Sequence, residues 1–357
     1  MDRLAFTYQC APARVMFGQG SLGRLAVELA ALGVRRALVL STPEQRDTAE
    51  SVAKQLGDGA AGVFDRAAMH VPIEVAREAV AYARTVGADG MVAVGGGSTI
   101  GLGKAIALEH TLPIVAVPTT YAGSEMTSIY GITEGGIKKT GRDERVLPRT
   151  VLYDPDLVRT LPLHVCVTSG FNAIAHAAEA LYAHDGNPVV SLMAEEGIRA
   201  MAGALRGLQA DPRSCAMREQ GLYGAWLCGT VLGAAAMGLH HKLCHTLGGS
   251  FNLPHAETHT VMLPHTLAYN AHHAPVAMTL AARALGTSED RVPQALHDLM
   301  RECRAPLALK EFGMAAASLD RVADLTVQNP YPNPRPLERV ALRAMLQRAY
   351  EGIAPQP

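Results

Sequence analysis

Between His240 and His255 the chain sets imidazoles at spacings that suit chemistry. His241 and His245 are four residues apart, so on a helix they share a face. His255 lies beyond Gly248-Gly249 and Pro254, where the chain can turn back. Upstream, Asn172 and His176 repeat the four-residue spacing. Two helices could thus aim side chains into one cleft, and two chemistries fit. Three imidazoles could hold a divalent metal, but a usual set adds a carboxylate, and Asn172 is a neutral amide and a poor ligand. Alternatively the imidazoles act directly, as proton donors and as an anion-binding cluster. Cys244, inside the run, reads as a small core residue rather than a nucleophile.

A second group of residues suits phosphate. Gly95-Gly96-Gly97-Ser98 follows an apolar strand and opens a helix. Glycine lets the backbone approach a ligand, and a helix N-terminus presents free N–H groups to an anion. The pattern is not Gly-x-Gly-x-x-Gly, so it points to a phosphate site rather than to one cofactor. The next strand ends in Pro118-Thr119-Thr120, followed by Tyr121-Ala122-Gly123-Ser124. Adjacent strand ends with such loops are where open α/β sheets bind nucleotides. Lys138, Lys139, Arg142 and Arg145 form a basic group that could meet an anionic ligand or simply face solvent.

These residues need elements to hold them. In the first half, strand-like runs at 35–43, 61–64, 90–94 and 113–117 alternate with helical patterns at 44–56, 73–86 and 99–108. That rhythm predicts a parallel sheet with helices on its faces. Residues 6–20 suggest an extra strand or hairpin, 128–149 a hairpin or loop, and 150–153 a last strand. Beyond Asp154-Pro155 only helices are predicted, at 165–183, 189–208, 217–239, 257–272, 276–285, 291–303 and 336–350. Two domains are expected, 1–157 and 158–357.

Composition narrows the partners. The 357 residues carry a formal charge of −1 and no Lys/Arg-rich run, which argues against nucleic acid and anionic membranes. Residues 221–239 are uncharged but interrupted by Gly, Tyr223 and Thr230, and read as a buried core helix. The N-terminus has no signal pattern, and the six cysteines form no Cys-x-x-Cys pair, as expected of reduced thiols in a cytoplasm.

The sequence resembles the iron-containing (group III) alcohol dehydrogenase family over nearly its whole length. The resemblance rests on Arg14 to Gly20, Gly95 to Lys104, Pro118 to Met126, Thr140 to Asp143, Ser169 to His176 and His241 to His255. It implies a dehydroquinate synthase-like architecture: an N-terminal dinucleotide-binding domain, an all-helical C-terminal domain, and hydride transfer from a nicotinamide in the cleft between them. By motif, Gly95, Gly96, Gly97 and Ser98 would hold the pyrophosphate. Thr119, Thr120 and Ser124 would line the nucleotide site, with Lys138 nearby. The family's metal positions fall on Asn172, His176, His241 and His255, and His245 matches a further cleft histidine.

Three departures direct the reading. Asn172 replaces the Asp of metal-dependent members, so no bound metal is expected at these vestigial positions. Gly101 stands where the wider family has Asp. Thr42 stands where an Asp would bond the ribose of NAD, so either NADH or NADPH is expected. Together they resemble the branch that reduces the C=C bond of maleylacetate to give 3-oxoadipate in aromatic-compound breakdown. His241, His245, His176 and His255 would then be the catalytic set, acting on a small dicarboxylate in a cytoplasmic homodimer. The alternative on the same fold is an Fe- or Zn-dependent alcohol or polyol dehydrogenase. A lyase similar to dehydroquinate synthase would need an acidic metal ligand, and a nucleotide-binding sensor would bind without turnover.

Overall fold

The computed structural model describes residues 6–8, 14–135 and 137–356. Gly136, within the hairpin or loop expected over 128–149, and the side chain of Lys138 lie outside the described residues. The chain divides into two compact units; Leu161 closes one and Pro162 opens the other.

The first unit holds strands β1 (Arg14–Phe17), β2 (Ala37–Leu40), β3 (Ala60–Phe64), β4 (Gly90–Gly95), β5 (Ile114–Pro118), β6 (Ile129–Glu134), β7 (Ile137–Arg142) and β8 (Thr150–Tyr153). Its helices are α1 (Leu25–Ala31), α2 (Arg46–Leu56), α3 (Ile73–Thr85) and α4 (Gly97–His110). Six strands form a parallel sheet in the order β1-β8-β5-β4-β2-β3. All residues of β2, β4, β5 and β8 are buried. Their alternate side chains feed two cores, one around Leu38, Leu40 and Ile106, the other around Val39, Val92 and Val115. Burial on both faces explains why these strands read as unbroken apolar runs. The connections from β2 and from β4 lead to opposite edges, so a topological switch point lies where β2 and β4 end.

The remainder is helical: α5 (Leu163–Ala180), α6 (Pro188–Ala210), α7 (Cys215–Ala234), α8 (Leu239–Phe251), α9 (His255–Asn270), α10 (Pro275–Leu285), α11 (Val292–Glu302), α12 (Ser318–Gln328) and α13 (Arg339–Glu351).

The structure corrects the sequence reading in three places. Residues 6–20 give one strand, β1, and no hairpin among the described residues. The helix expected over 217–239 stops at Ala234, and α8 leaves at 96° to it. The break has a cause: Ala236 N–H turns to Asp185 Oδ1 at 2.8 Å and Gly238 N–H to Glu179 Oε2 at 3.0 Å, so neither continues α7. Helices α1 and α12 were not expected. No single helix among the described residues is long and apolar enough to cross a membrane.

Candidate active site

Within the helical unit, α5, α8 and α9 assemble the histidines. Helix α5 is almost free of charge, and its buried Asn172, His176 and Glu179 follow at spacings of four and three, one face of a helix. Helix α8 brings His240, His241, Cys244 and His245; α9 brings His255, in its first turn, and His259. Asn252 ends α8 in the left-handed conformation (φ 54°), which lets the chain turn back into α9. The ring of His241 lies 5.2 Å from that of His176, 5.9 Å from His245 and 4.9 Å from His259, and His255 lies 4.4 Å from His259. All five sequence-predicted positions, Asn172, His176, His241, His245 and His255, thus lie on these three helices.

The organising residue is one that the sequence reading passed over. The Glu179 side chain, fully buried, accepts from the backbone N–H groups of Gly238 (3.0 Å), His240 (2.8 Å) and His241 (3.3 Å). These are first-turn donors of α8 that no helical carbonyl can satisfy. The same carboxylate accepts from His241 Nδ1 at 2.6 Å and from the Tyr182 hydroxyl at 3.3 Å. Burial alone would raise the Glu179 carboxyl. The His241 hydrogen bond, the His241 and His240 rings and the Gly238 N–H outweigh it and hold the group at about 2. Glu179 is therefore an anion, and its partner His241 must place a proton on Nδ1.

The neighbouring rings of His240 and His259 hydrogen-bond each other and Thr266 rather than a carboxylate. Burial pushes His240 down to about 3 and His176 and His259 well below the usual imidazole range, helped by the adjacent histidines. The cluster thus contains one histidine backed by a charge among several held neutral. His245 is half-buried, with Nδ1 3.3 Å from the Tyr331 hydroxyl. Lys242 Nζ sits 5.7 Å from the centre of the Tyr331 ring, which adds a cation at the edge of the group. His259 repeats the four-residue spacing of the expected pairs, four after His255, and Glu179, three after His176, shares its helix face.

In the α/β unit, β4 ends at Gly95, and α4 starts at Gly97 with an extended Gly96 as its cap. A Cβ at Gly95 would come 2.3 Å from Thr99 Oγ1, and one at Gly96 2.8 Å from Thr120 Oγ1; at Gly97 the nearest atom is Ala122 at 3.7 Å. Packing therefore demands the first two glycines, while the backbone at Gly97 is left open. Thr119 is buried, its hydroxyl accepting from Gln45 Nε2 at 2.6 Å; Thr120 and Ser124 are half-buried. Thr42 caps the turn after β2, and its side chain bonds the Glu44 carboxylate. Beneath this loop Lys104 Nζ donates to Ser124 O, Thr127 O, Thr127 Oγ1 and Ile129 O at 2.7 to 3.0 Å. Of the basic group, Lys139 pairs with Glu134 and Arg145 with Asp143. A Cβ at Gly101 would meet Val71 Cγ2 at 2.8 Å, so a larger residue needs Val71 to move.

Comparison with known proteins decides the family. Residues 12–155 match the iron-containing alcohol dehydrogenase model, and residues 166–350 match the C-terminal model of the same family. The chain belongs to the iron-containing alcohol dehydrogenase family. Among family members, the maleylacetate reductase of Burkholderia cepacia is 62% identical over 98% of this chain and 99% of its own. The crystal structure of maleylacetate reductase from Agrobacterium tumefaciens superposes with a TM-score of 0.94 at 52% identity, covering 99% of this chain and 100% of that one. That from Rhizobium sp. strain MTP-10005 gives 0.93 at 53%, with the same coverage.

The family implies two bound groups. A dinucleotide fits: the open backbone at Gly97, the free N–H groups opening α4 and the strand ends of the switch point suit a pyrophosphate. Ferrous iron does not fit. It takes a carboxylate beside imidazoles, whereas Asn172 is an amide and both Glu179 oxygens are filled by N–H and O–H donors.

Proposed function

We propose that this family member is a maleylacetate reductase, an NADH- or NADPH-dependent oxidoreductase that reduces the C=C bond of maleylacetate to 3-oxoadipate in aromatic-compound breakdown. Identity of 62% over nearly the full length supports the reaction, and the Glu179–His241 pair at 2.6 Å is the observation that carries its chemistry. Gly95, Gly96, Gly97 and Ser98 would hold the pyrophosphate of a dinucleotide, with Thr119, Thr120 and Ser124 lining its site, and its nicotinamide would supply the hydride when bound.

Maleylacetate is a dianion whose double bond is conjugated to a ketone. With hydride added at the carbon β to the ketone, charge builds on the ketone oxygen and a proton must reach the α carbon. His241 delivers it: Glu179 keeps a proton on Nδ1 and stabilises the imidazolium, leaving Nε2–H as the donor. His245 and Lys242, beside Tyr331, supply the polar and cationic groups that favour a dicarboxylate over a neutral alcohol, with His176 and His255 in the same cluster. The reaction runs without iron. With Thr42 rather than an acid after β2, either NADH or NADPH is accepted. The five described cysteines are free, in keeping with a cytoplasmic enzyme. Strand β1 lies at one edge of its sheet, and a homodimer formed along it covers that edge.

One observation favours a second reading, a metal-dependent alcohol dehydrogenase. His176 Nδ1, His241 Nε2 and His259 Nε2 are buried without a hydrogen-bond partner, and three imidazole nitrogens can bind zinc. Turnover of maleylacetate by chelator-treated wild-type enzyme separates the two, and His241→Asn tests the donor. The substitution should lower kcat for maleylacetate about 100-fold or more in chelator-treated enzyme. Retention of wild-type turnover by the folded variant would remove His241 from the mechanism.

A further inference from the structure

A hydrogen-bond chain runs from the backbone of α9 back into the histidine cluster. Thr266 Oγ1 lies 3.1 Å from Met262 O and 3.0 Å from Leu263 O in its own helix, and 3.1 Å from His240 Nδ1. His240 Nε2 lies 3.0 Å from His259 Nδ1, and all three side chains are buried. Each ring has one proton to place, so the direction of the chain fixes both tautomers.

Three features choose the direction. Pointing the Thr266 hydrogen at His240 would leave its oxygen facing two carbonyl oxygens with no hydrogen between them; pointing it at those carbonyls removes the repulsion. Cys244 Sγ lies 3.7 Å from His240 Nε2, and burial keeps that thiol protonated, so its S–H meets a bare nitrogen in this direction and an N–H in the other. Finally, His259 Nε2 is buried without a partner. A buried N–H without an acceptor is rarer than an acceptor without a donor. The chain therefore runs His259 Nδ1–H to His240 Nε2, and His240 Nδ1–H to Thr266.

We propose that His259 is a positioning residue for the reaction, its proton fixed on Nδ1 by Thr266 and His240 so that Nε2 is a permanent hydrogen-bond acceptor beside His241. The His241 ring centre is 4.9 Å away, and one ring nitrogen from each of His240, His241 and His259 lies within 4.8 Å of the other two. An acceptor there holds the Nε2–H of His241, through one bridging water, in a single orientation. With the opposite tautomer, two N–H groups would confront each other and the donor would turn away. The role in turnover rests on the reading of His241 as proton donor; the tautomers do not.

Histidine-selective ¹⁵N labelling of the whole enzyme tests the tautomers without any variant. Both His240 and His259 should carry their proton on Nδ1, against the Nε2–H form that free histidine prefers; Nε2–H at His259 overturns the proposal. Thr266→Val removes the end of the chain and Thr266→Ser keeps it. The valine variant should lose the uniform Nδ1–H signal and about tenfold in kcat with KM for maleylacetate unchanged, and the serine variant should restore both. A valine variant with altered tautomers and wild-type kcat contradicts the positioning role. Should it fail to fold, His240→Gln serves. Its amide oxygen accepts from His259 without Thr266, so His259 keeps Nδ1–H, and a switch to Nε2–H counts against the chain. If wild-type enzyme does not turn over maleylacetate, the reaction assignment falls and the labelling result stands by itself.

Discussion

A fully buried carboxylate that accepts from three backbone N–H groups, an imidazole and a phenol has little freedom left, and at Glu179 this ties the chemistry of His241 to the start of α8. Glu179→Gln keeps the shape but puts an NH₂ against donors and removes the charge behind His241. It should lower kcat about 100-fold, more than it changes KM, and destabilise the protein by about 2 kcal/mol or more through lost charged hydrogen bonds. Wild-type kcat in a folded variant would show that the pair is only structural. The pair also has a pH signature. The folded Glu179 carboxyl lies at about 2 against an ordinary 4.5, so the stability it contributes is present above pH 4.5 and is lost as pH falls towards 2. His240, pushed down to about 3 from 6.5, acts in the same direction: the unfolded chain takes up a proton below pH 6.5 that the folded ring refuses. Thermal melts should therefore fall from pH 7 to pH 4, and less steeply in a His240→Leu variant. A flat profile contradicts the assignment of these groups.

Among the elements, the loop after β5 depends on α4. Lys104 reaches four oxygens of the 124–129 segment, an arrangement that only an ammonium satisfies, although burial draws its pKa down to about 7. The geometry favours the charged form, since four acceptors and no donor face Nζ. Lys104→Met should raise KM for NADH several-fold and cost about 3 kcal/mol of stability, with KM for maleylacetate little changed. An unaltered KM for NADH would mean that the loop holds its shape without the clamp. How much could be read in advance differed by element. The alternation of apolar runs and amphipathic helices located β2 to β5 and α2 to α4, because buried parallel strands carry a continuous signal. The four-residue spacings found Asn172, His176, His241 and His245. The bend between α7 and α8 was not legible, because it is made by Asp185 and Glu179, which lie distant in sequence from the helix they interrupt. The role of Glu179 was hidden for the same reason: a lone acid in an apolar helix shows its meaning only when the start of α8 arrives on it. His259 could have been found, since it stands to His255 as His245 stands to His241.

At the scale of the molecule, the proposed reading divides the work between the two units: the α/β unit would hold the dinucleotide at its glycine-opened helix, and the helical unit would hold the proton donor and the groups for a dianion. With β1 at the end of its sheet, the proposed homodimer should appear as a dimer in gel filtration at micromolar concentration, and a monomer only would remove that interface. The central claim is that imidazole backed by Glu179, not a metal, supplies the acid chemistry. Its most direct test is NADH oxidation by metal-stripped enzyme with maleylacetate as substrate and chelator present. The account predicts rapid turnover that added Fe²⁺ or Zn²⁺ does not increase. No turnover until metal is restored, with activity towards simple alcohols, would contradict it and make the histidine cluster a metal site.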